Sequence, residues 1–138
     1  MIRFTVPGKP FGWERTGQNR RTGATYVPEK TRNHKNAVAW AYKQACGAYR
    51  FPSGTYVDMR VIAYLPIPKS KSKTVQQKMR SGEIRPTVKP DFDNIGKLIA
   101  DALNKVAYDD DKCIVDAQVR KFYSDNPRTE VILQIATI

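Results

Sequence analysis

Between Thr55 and Leu65 the apolar side chains fall on every second residue: Val57, Met59, Val61, Ala63 and Leu65 alternate with Tyr56, Asp58, Arg60, Ile62 and Tyr64. A period of two is the repeat of a β-strand, whose successive side chains point to opposite faces of a sheet. Pro52 to Gly54 bound the run on one side and Pro66 on the other, so residues 55–65 are expected to form a central strand. A different period follows downstream. From Asn94 to Val106, Ile95, Leu98, Ile99, Ala102, Leu103 and Val106 make one apolar stripe at helical spacing, with Lys97, Asp101, Asn104 and Lys105 on the other side.

The remaining segments fill in around these two. Residues 2–6 read as a first strand ending at Pro7-Gly8, and the Gly- and Arg-rich stretch to Thr25 reads as an exposed loop carrying Arg15, Arg20 and Arg21. His34, Ala37, Val38, Ala41, Ala45 and Ala48 share a face of a helix expected over residues 30–48. Lys69, Lys71 and Lys73 alternate with serine as a solvated basic arm that leads into a short polar helix over 74–80, closed by Ser81-Gly82. Residues 113–123 and 129–137 read as two strands joined at Ser124 to Arg128, an antiparallel hairpin by loop length. The expectation is one α+β domain over residues 1–138 with a mixed sheet covered by helices.

With 138 residues, 41% of them hydrophobic and 27% charged, the chain is large enough to bury a core without disulfides. Cys46 and Cys113 have no CxxC spacing, and a single histidine leaves no Cys/His zinc site, so both thiols are expected reduced and free. No apolar run is long enough to span a bilayer, and the charged start is unlike a signal peptide; a cytoplasmic protein without membrane contact is the expectation.

Charge is distributed unevenly. Lys and Arg number 24 against 13 Asp and Glu, a net charge of +11 typical of a nucleic-acid binder. Residues 1–90 hold 18 basic and 4 acidic side chains, a balance of +14, whereas residues 91–138 hold 6 and 9, a balance of −3, and eight of those nine acids are aspartate. A surface that only coats a polyanion gains nothing from clustered aspartates, each of which repels phosphate unless a cation intervenes.

The aspartates lie where chemistry is feasible. Asp91 and Asp93 flank Phe92 where an extended segment runs into the helix, so the two carboxylates are expected to point one way and Phe92 the other. Lys97 and Asp101 follow at successive turns on the side of Asp93. Asp109, Asp110 and Asp111 come just before the next strand, and carboxylates from the two segments can build a hard-oxygen site suited to Mg²⁺ or Mn²⁺. A metal-activated water and the Lys97 ammonium would together serve phosphodiester hydrolysis. Each feature also has a structural reading: Asp93 as a helix N-cap, Asp109 to Asp111 as a solvated loop, Lys97 with Asp101 as a surface pair, His34 as a core or capping residue, and Phe11 and Trp13 as packing or a wedge. An EF-hand is excluded because Ile95 and Ala102 occupy ligand positions, and no Walker A or GxGxxG motif is present.

Lys89-Pro90-Asp91-Phe92-Asp93-Asn94, then Lys97, Asp101-Ala102-Leu103-Asn104, and Asp110-Asp111 followed by Ile114 resemble the signature of the RusA family of Holliday junction resolvases. The signature covers residues 89–116, and Val6 to Pro10 with Tyr26 to Thr31 extend the likeness more weakly. The resemblance implies a small α+β homodimer, often encoded by phages or prophages. Such enzymes cut four-way DNA junctions symmetrically with Mg²⁺ or Mn²⁺ in recombination and repair. It further implies that Asp91, Asp93 and Asp111 bind the metal, that Lys97 is catalytic, that Asp110 is auxiliary, and, more weakly, that Asp101 contributes. Lys89-Pro90 stand where the bacterial prototype has arginines, as in the phage-type branch, which leaves the preferred cleavage sequence open. From charge, Arg15, Arg20, Arg21, Lys69, Lys71, Lys73 and Lys89 are the expected DNA contacts. The competing reading is a non-catalytic DNA-binding protein whose aspartates are structural.

Overall fold

In a computed structural model, residues 1–14, 17–18, 20–26 and 28–138 are described, the side chains of residues 17, 18, 25 and 26 excepted. Strand β1 (Ile2–Pro7) is followed by a two-residue ribbon, β2 (Gly17–Gln18) with β3 (Thr25–Tyr26), inside the stretch expected to be loop. Helix α1 (Glu29–Cys46), strand β4 (Val57–Pro66), and helices α2 (Lys73–Arg80) and α3 (Phe92–Ala102) come next, then strands β5 (Ile114–Ser124) and β6 (Arg128–Ile135). Four strands make one mixed sheet in the order β1-β6-β4-β5, so the chain is α+β as its patterns imply.

Strand β4 is central, as its alternation predicts. It pairs antiparallel with β6 from Val57 opposite Ile135 to Tyr64 opposite Arg128, and parallel with β5 from Val57 opposite Ile114 to Pro66 opposite Ser124. Val57, Met59, Val61, Ala63 and Leu65 are all buried, with Val131 and Leu133 of β6 and Phe4 of β1, beneath Val38, Ala41 and Tyr42 of α1 and Ile95 and Ile99 of α3. The helices thus cover one face of the sheet. Because β4 and β5 are parallel, the connection between them must return to the starting end of the sheet, and α2 and α3 both lie within it.

The expected hairpin between the last two strands does not form. Strands β5 and β6 lie on opposite sides of β4, and residues 125–127 step over the end of β4 as it leaves at Pro66. Loop length does not separate the two outcomes: crossing two strand spacings takes about 10 Å, within reach of four Cα steps of about 3.5 Å. Arg80 Nε donates to Asp125 at 2.7 Å and ties this step to α2.

Helix boundaries also shift. Helix α3 begins at Phe92 and ends at Ala102, two residues earlier and four residues earlier than the stripe implies. Lys105 adopts φ +62°, a left-handed turn that carries Val106 out of the helix although it still packs on the core. The N-cap is therefore Asp91, and Asp93 falls inside the first turn. In α1 the buried residues are Thr31, Val38, Ala41 and Tyr42, whereas Ala37, Ala45 and Ala48 are exposed. Alanines mark neither face strongly, and the larger Tyr42 decides the rotation, donating its hydroxyl to Tyr49 O at 2.6 Å. Lys73, expected in the basic arm, opens α2, whose N-cap Ser72 accepts from Val75 N at 3.3 Å. Among the described residues no helix is long and apolar enough to cross a membrane, and Cys46 and Cys113 are free thiols.

After α3 the chain is braced by Asp109, which accepts from Ser53 Oγ and from Arg50 Nη2, each at 2.6 Å. The Ser53 hydroxyl and the Arg50 guanidinium hold its carboxyl below the usual carboxylate range. A folded pKa below the unfolded one contributes stability that is present above the unfolded value and is lost as pH falls through the folded value. Asp109→Asn is expected to lower the melting temperature at neutral pH, with the difference from wild type closing as the pH drops from about 5 to about 2; thermal melts across that interval check it.

Candidate active site

The N-terminus of α3 is the anchor of the site. Asp91 takes the extended N-cap conformation, φ −69° and ψ 151°, but its side chain makes no capping hydrogen bond. Asp93, in the first turn, is favoured there by the helix dipole. Because the helix begins at Phe92, residues 91 and 93 are not related by strand alternation. Asp91 and Asp93 border two different cavities. Asp93 lines a cavity of about 370 Å³ together with Phe92, Lys97 and Asp111, over a wall that includes Ala117 and Val119 of β5. Asp91 lines an adjoining cavity of about 560 Å³ with Lys89, Asn94, Trp13 and His34. Phe92, expected to point away, stands 64% exposed at the first of these cavities.

Gly96 sets how closely α3 approaches the sheet: a Cβ there would lie 3.3 Å from Val119 Cγ2. Beyond α3, buried Tyr108 donates its hydroxyl to Ala100 O at 2.6 Å and returns the chain to the foot of β5. Asp110 Oδ2 accepts from Lys112 N at 3.1 Å and caps the 3-10 turn Asp111–Cys113 that opens β5. Asp111, first residue of that turn, thereby faces Asp93 and Lys97 across the cavity. Burial, then the neighbouring Asp110 and Asp101 carboxylates, push the Asp111 carboxyl above its ordinary value.

Eight of the nine acids of residues 91–138 separate into two groups, the ninth, Asp116, lying on β5 without an ion pair among the described residues. Asp101 pairs with Lys35 at 2.5 Å, and Asp109, Asp125 and Glu130 pair with Arg50, Arg80 and Arg128. Among the described residues, Asp91, Asp93, Asp110 and Asp111 make no ion pair with a basic side chain, nor does Lys97. Lys97 does not take Asp101 as an i,i+4 partner, because Lys35 of α1 already occupies it. The Lys97 ammonium instead lies 4.9 Å from the centroid of the Trp13 ring, and that of Lys35 lies 5.5 Å from it.

Lys35 is a site residue that sequence reasoning missed, and Trp13, read from the sequence as packing or a wedge, packs beside Lys97 and Lys35. The segment that carries Trp13 is locked onto α3: Trp13 N donates to Asn94 O at 2.8 Å, and at Gly12 a Cβ would come within 2.8 Å of Pro90 Cβ and 3.1 Å of Asn94 Cβ. Phe11 stacks on His34, with centroids 3.8 Å apart and planes at 9°, and His34 Nδ1 bonds Lys30 O at 2.8 Å. Phe11 is therefore packing rather than a free wedge, and His34 is half-buried against it. Only the glycine before Trp13 hints at this close approach in the sequence.

Of the expected DNA contacts, Lys89 borders the Asp91 cavity. Arg20 and Arg21 sit on the turn between β2 and β3, and Lys69, Lys71 and Lys73 lie before and at the start of α2, all exposed. Arg15 lies outside the described residues. Among the described residues no three His, Cys, Asp or Glu side chains gather within reach of one metal ion. The donor chemistry nevertheless fits a magnesium-type ion, which is held by one or two carboxylates plus waters and substrate phosphates rather than by an all-protein cage. Asp93 and Asp111 supply two such carboxylates on one cavity.

Seating the Trp13 ring on α3 has measurable consequences. In protein labelled at the lysine ε-carbons, two ε-methylene resonances are expected to be displaced by the indole ring current and to return to ordinary positions in Trp13→Leu. Gly12→Ala is expected to cost about 1–3 kcal/mol in urea unfolding and to move the same resonances; unchanged spectra in both variants would contradict this geometry.

The family model described as Endodeoxyribonuclease RusA matches residues 7–134. The uncharacterized protein YqaN of Bacillus subtilis (strain 168) is 39% identical over 137 residues, which is 96% of this chain and 95% of that protein. With nearly the whole chain matched, from the end of β1 to β6 and including all of α3 and its aspartates, the protein belongs to the RusA family of endodeoxyribonucleases.

Proposed function

We propose that the chain is a metal-dependent, structure-selective endonuclease that resolves four-way DNA junctions and related branched DNA in recombination and repair, acting as a homodimer. The observation that carries this reading is the meeting of Asp93, Lys97 and Asp111 on one open cavity. Carboxylates without basic partners beside a lysine without an acidic one leave both charges available to a third party.

In this proposal Asp91, Asp93 and Asp111 hold Mg²⁺, with Mn²⁺ as a substitute, and Asp110 is auxiliary. The ion, when bound, neutralises phosphate charge and activates a water. Asp93 and Asp111 supply hard oxygen ligands from two elements that the core fixes relative to one another. Burial, with Asp110 and Asp101 nearby, disfavours a bare Asp111 carboxylate, which a bound cation would offset. Lys97, steadied over Trp13, offers its ammonium to the negative charge that grows on the phosphoryl or leaving oxygen during cleavage. Lys89, beside Asp91, neutralises a backbone phosphate, and the exposed Arg20, Arg21, Lys69, Lys71 and Lys73 extend the basic surface. Two matched cuts in a symmetric junction call for two matched sites, which an isologous two-fold dimer provides.

The test is cleavage of a labelled synthetic four-way junction beside a linear duplex of the same sequence, with Mg²⁺, with Mn²⁺ and with chelator. Paired nicks on the junction that need the metal are expected. Asp91→Asn, Asp93→Asn and Asp111→Asn should each abolish them while keeping junction binding. Lys97→Ala should slow cleavage by about 100-fold with a smaller effect on affinity. Sedimentation equilibrium should return twice the chain mass. Tight binding without cutting in either metal would instead make the aspartates structural.

A further inference from the structure

Even-numbered residues of β4 and β5 face away from α1 and α3, and on this side Tyr64 and Phe122 are register partners whose rings lie 6.0 Å apart with planes at 27°. Three guanidiniums surround the pair. Arg128 lies 3.9 Å from the Tyr64 ring centroid, and Arg85 and Arg120 lie 4.2 Å and 4.8 Å from that of Phe122. Their polar groups are differently occupied. Arg128 is committed to Glu130 at 2.8 Å, to Ser124 Oγ at 3.3 Å and to Asn126 O at 3.0 Å. Arg85 donates from Nε to Lys121 O at 3.0 Å, which leaves four of its five N–H groups. Neither Arg85 nor Arg120 forms an ion pair among the described residues, and both are exposed.

We propose that Arg85 and Arg120, held against the ring of Phe122, form a binding site for the phosphates of a DNA backbone. Ring contact restrains each planar guanidinium while its edge stays available, so less rotamer entropy is lost on binding than for a solvated lysine. Planar forks are also matched to phosphate oxygens. The place of the site in the chain fits this ligand. Residues 82–90 form a strap from α2 round the outer edge of β5: Gly82 approaches Phe122, Arg85 bonds Lys121 O, and the Lys121 ammonium donates to Val88 O at 2.6 Å. The strap ends at Lys89 and Asp91 in the candidate active site. Six Cα steps lead from Arg85 to Asp91, a reach of at most about 20 Å, or about six base pairs at roughly 3.4 Å of rise along the duplex axis. A duplex arm leaving the cleft along the strap would meet this pair of arginines.

This inference rests on the DNA-binding part of the function proposed above and not on cleavage. It is tested by fluorescence anisotropy with a labelled linear duplex and a labelled four-way junction over a series of salt concentrations. The double variant Arg85→Gln/Arg120→Gln is expected to bind both probes roughly tenfold more weakly, with the slope of log affinity against log salt reduced by about 1 to 2. Phe122→Leu keeps both charges but frees them, so affinity should fall with an unchanged slope, and Phe122→Tyr should restore it. Wild-type affinity and slope in the double variant would overturn the proposal. A changed sedimentation coefficient in that variant would also overturn it, identifying the face as a contact between subunits. If the wild type does not cut but the slopes change as expected, the phosphate site stands and the nuclease reading falls.

Discussion

Strand β4 is bonded along both of its edges, and almost every other feature takes its position from that fact. Its parallel bond to β5 forces the chain to travel back across the sheet, which puts α3 over the covered face. Its antiparallel bond to β6 lets the last strand reach β1, so the first and last strands are neighbours. The foot of β5 is where Asp111 emerges, opposite the start of β4 at Val57 and Asp58. The relative placement of Asp93 on α3 and Asp111 before β5 is therefore set by buried apolar contacts, not by the carboxylates themselves. That is the arrangement a hard-cation site needs, since like charges brought together without an ion repel.

Electrostatics then sort the charges. A very basic chain could neutralise all its acids, and the protein neutralises those that brace the fold. Asp101 fastens α3 to α1 through Lys35, Asp109 fastens the loop after α3 to residues 50–53, and Asp125 fastens the last turn to α2. The acids at the cleft are left without such partners. Lys35 has a double effect, since by holding Asp101 it removes the natural helix partner of Lys97 and leaves that ammonium to the indole of Trp13.

Period and composition made much of this legible. The alternation in residues 55–65 identified the central strand, the stripe in 94–106 the helix of the site, and the charge reversal at residue 91 the stretch that holds the unpaired aspartates. What escaped was decided by contacts distant in sequence. Loop length alone could not tell a hairpin from a step across β4. The start of α3 was misplaced by two residues because Asp91 and Asp93 both suit an N-cap, and the two aspartates border different cavities. The rotation of α1 was set by Tyr42, while the alanines around it carry little directional information. Trp13 reaches the site across more than eighty residues, and the Phe122 cluster depends on the parallel pairing of β5 with β4, which no local pattern encodes.

The position of β6 between β1 and β4 also bears on how the protein comes into being. On a ribosome, β1, α1, β4 and α3 are all made before residues 128–135, yet β1 has no bonded neighbour in the sheet until those residues arrive. The N-terminal strand, which leads directly into the segment carrying Gly12 and Trp13, must wait for a partner more than a hundred residues downstream. At about 5–20 residues per second, that interval lasts roughly 6 to 24 seconds. A polypeptide whose synthesis stops before β6 carries every aspartate of the site but lacks the strand that joins β1 to β4.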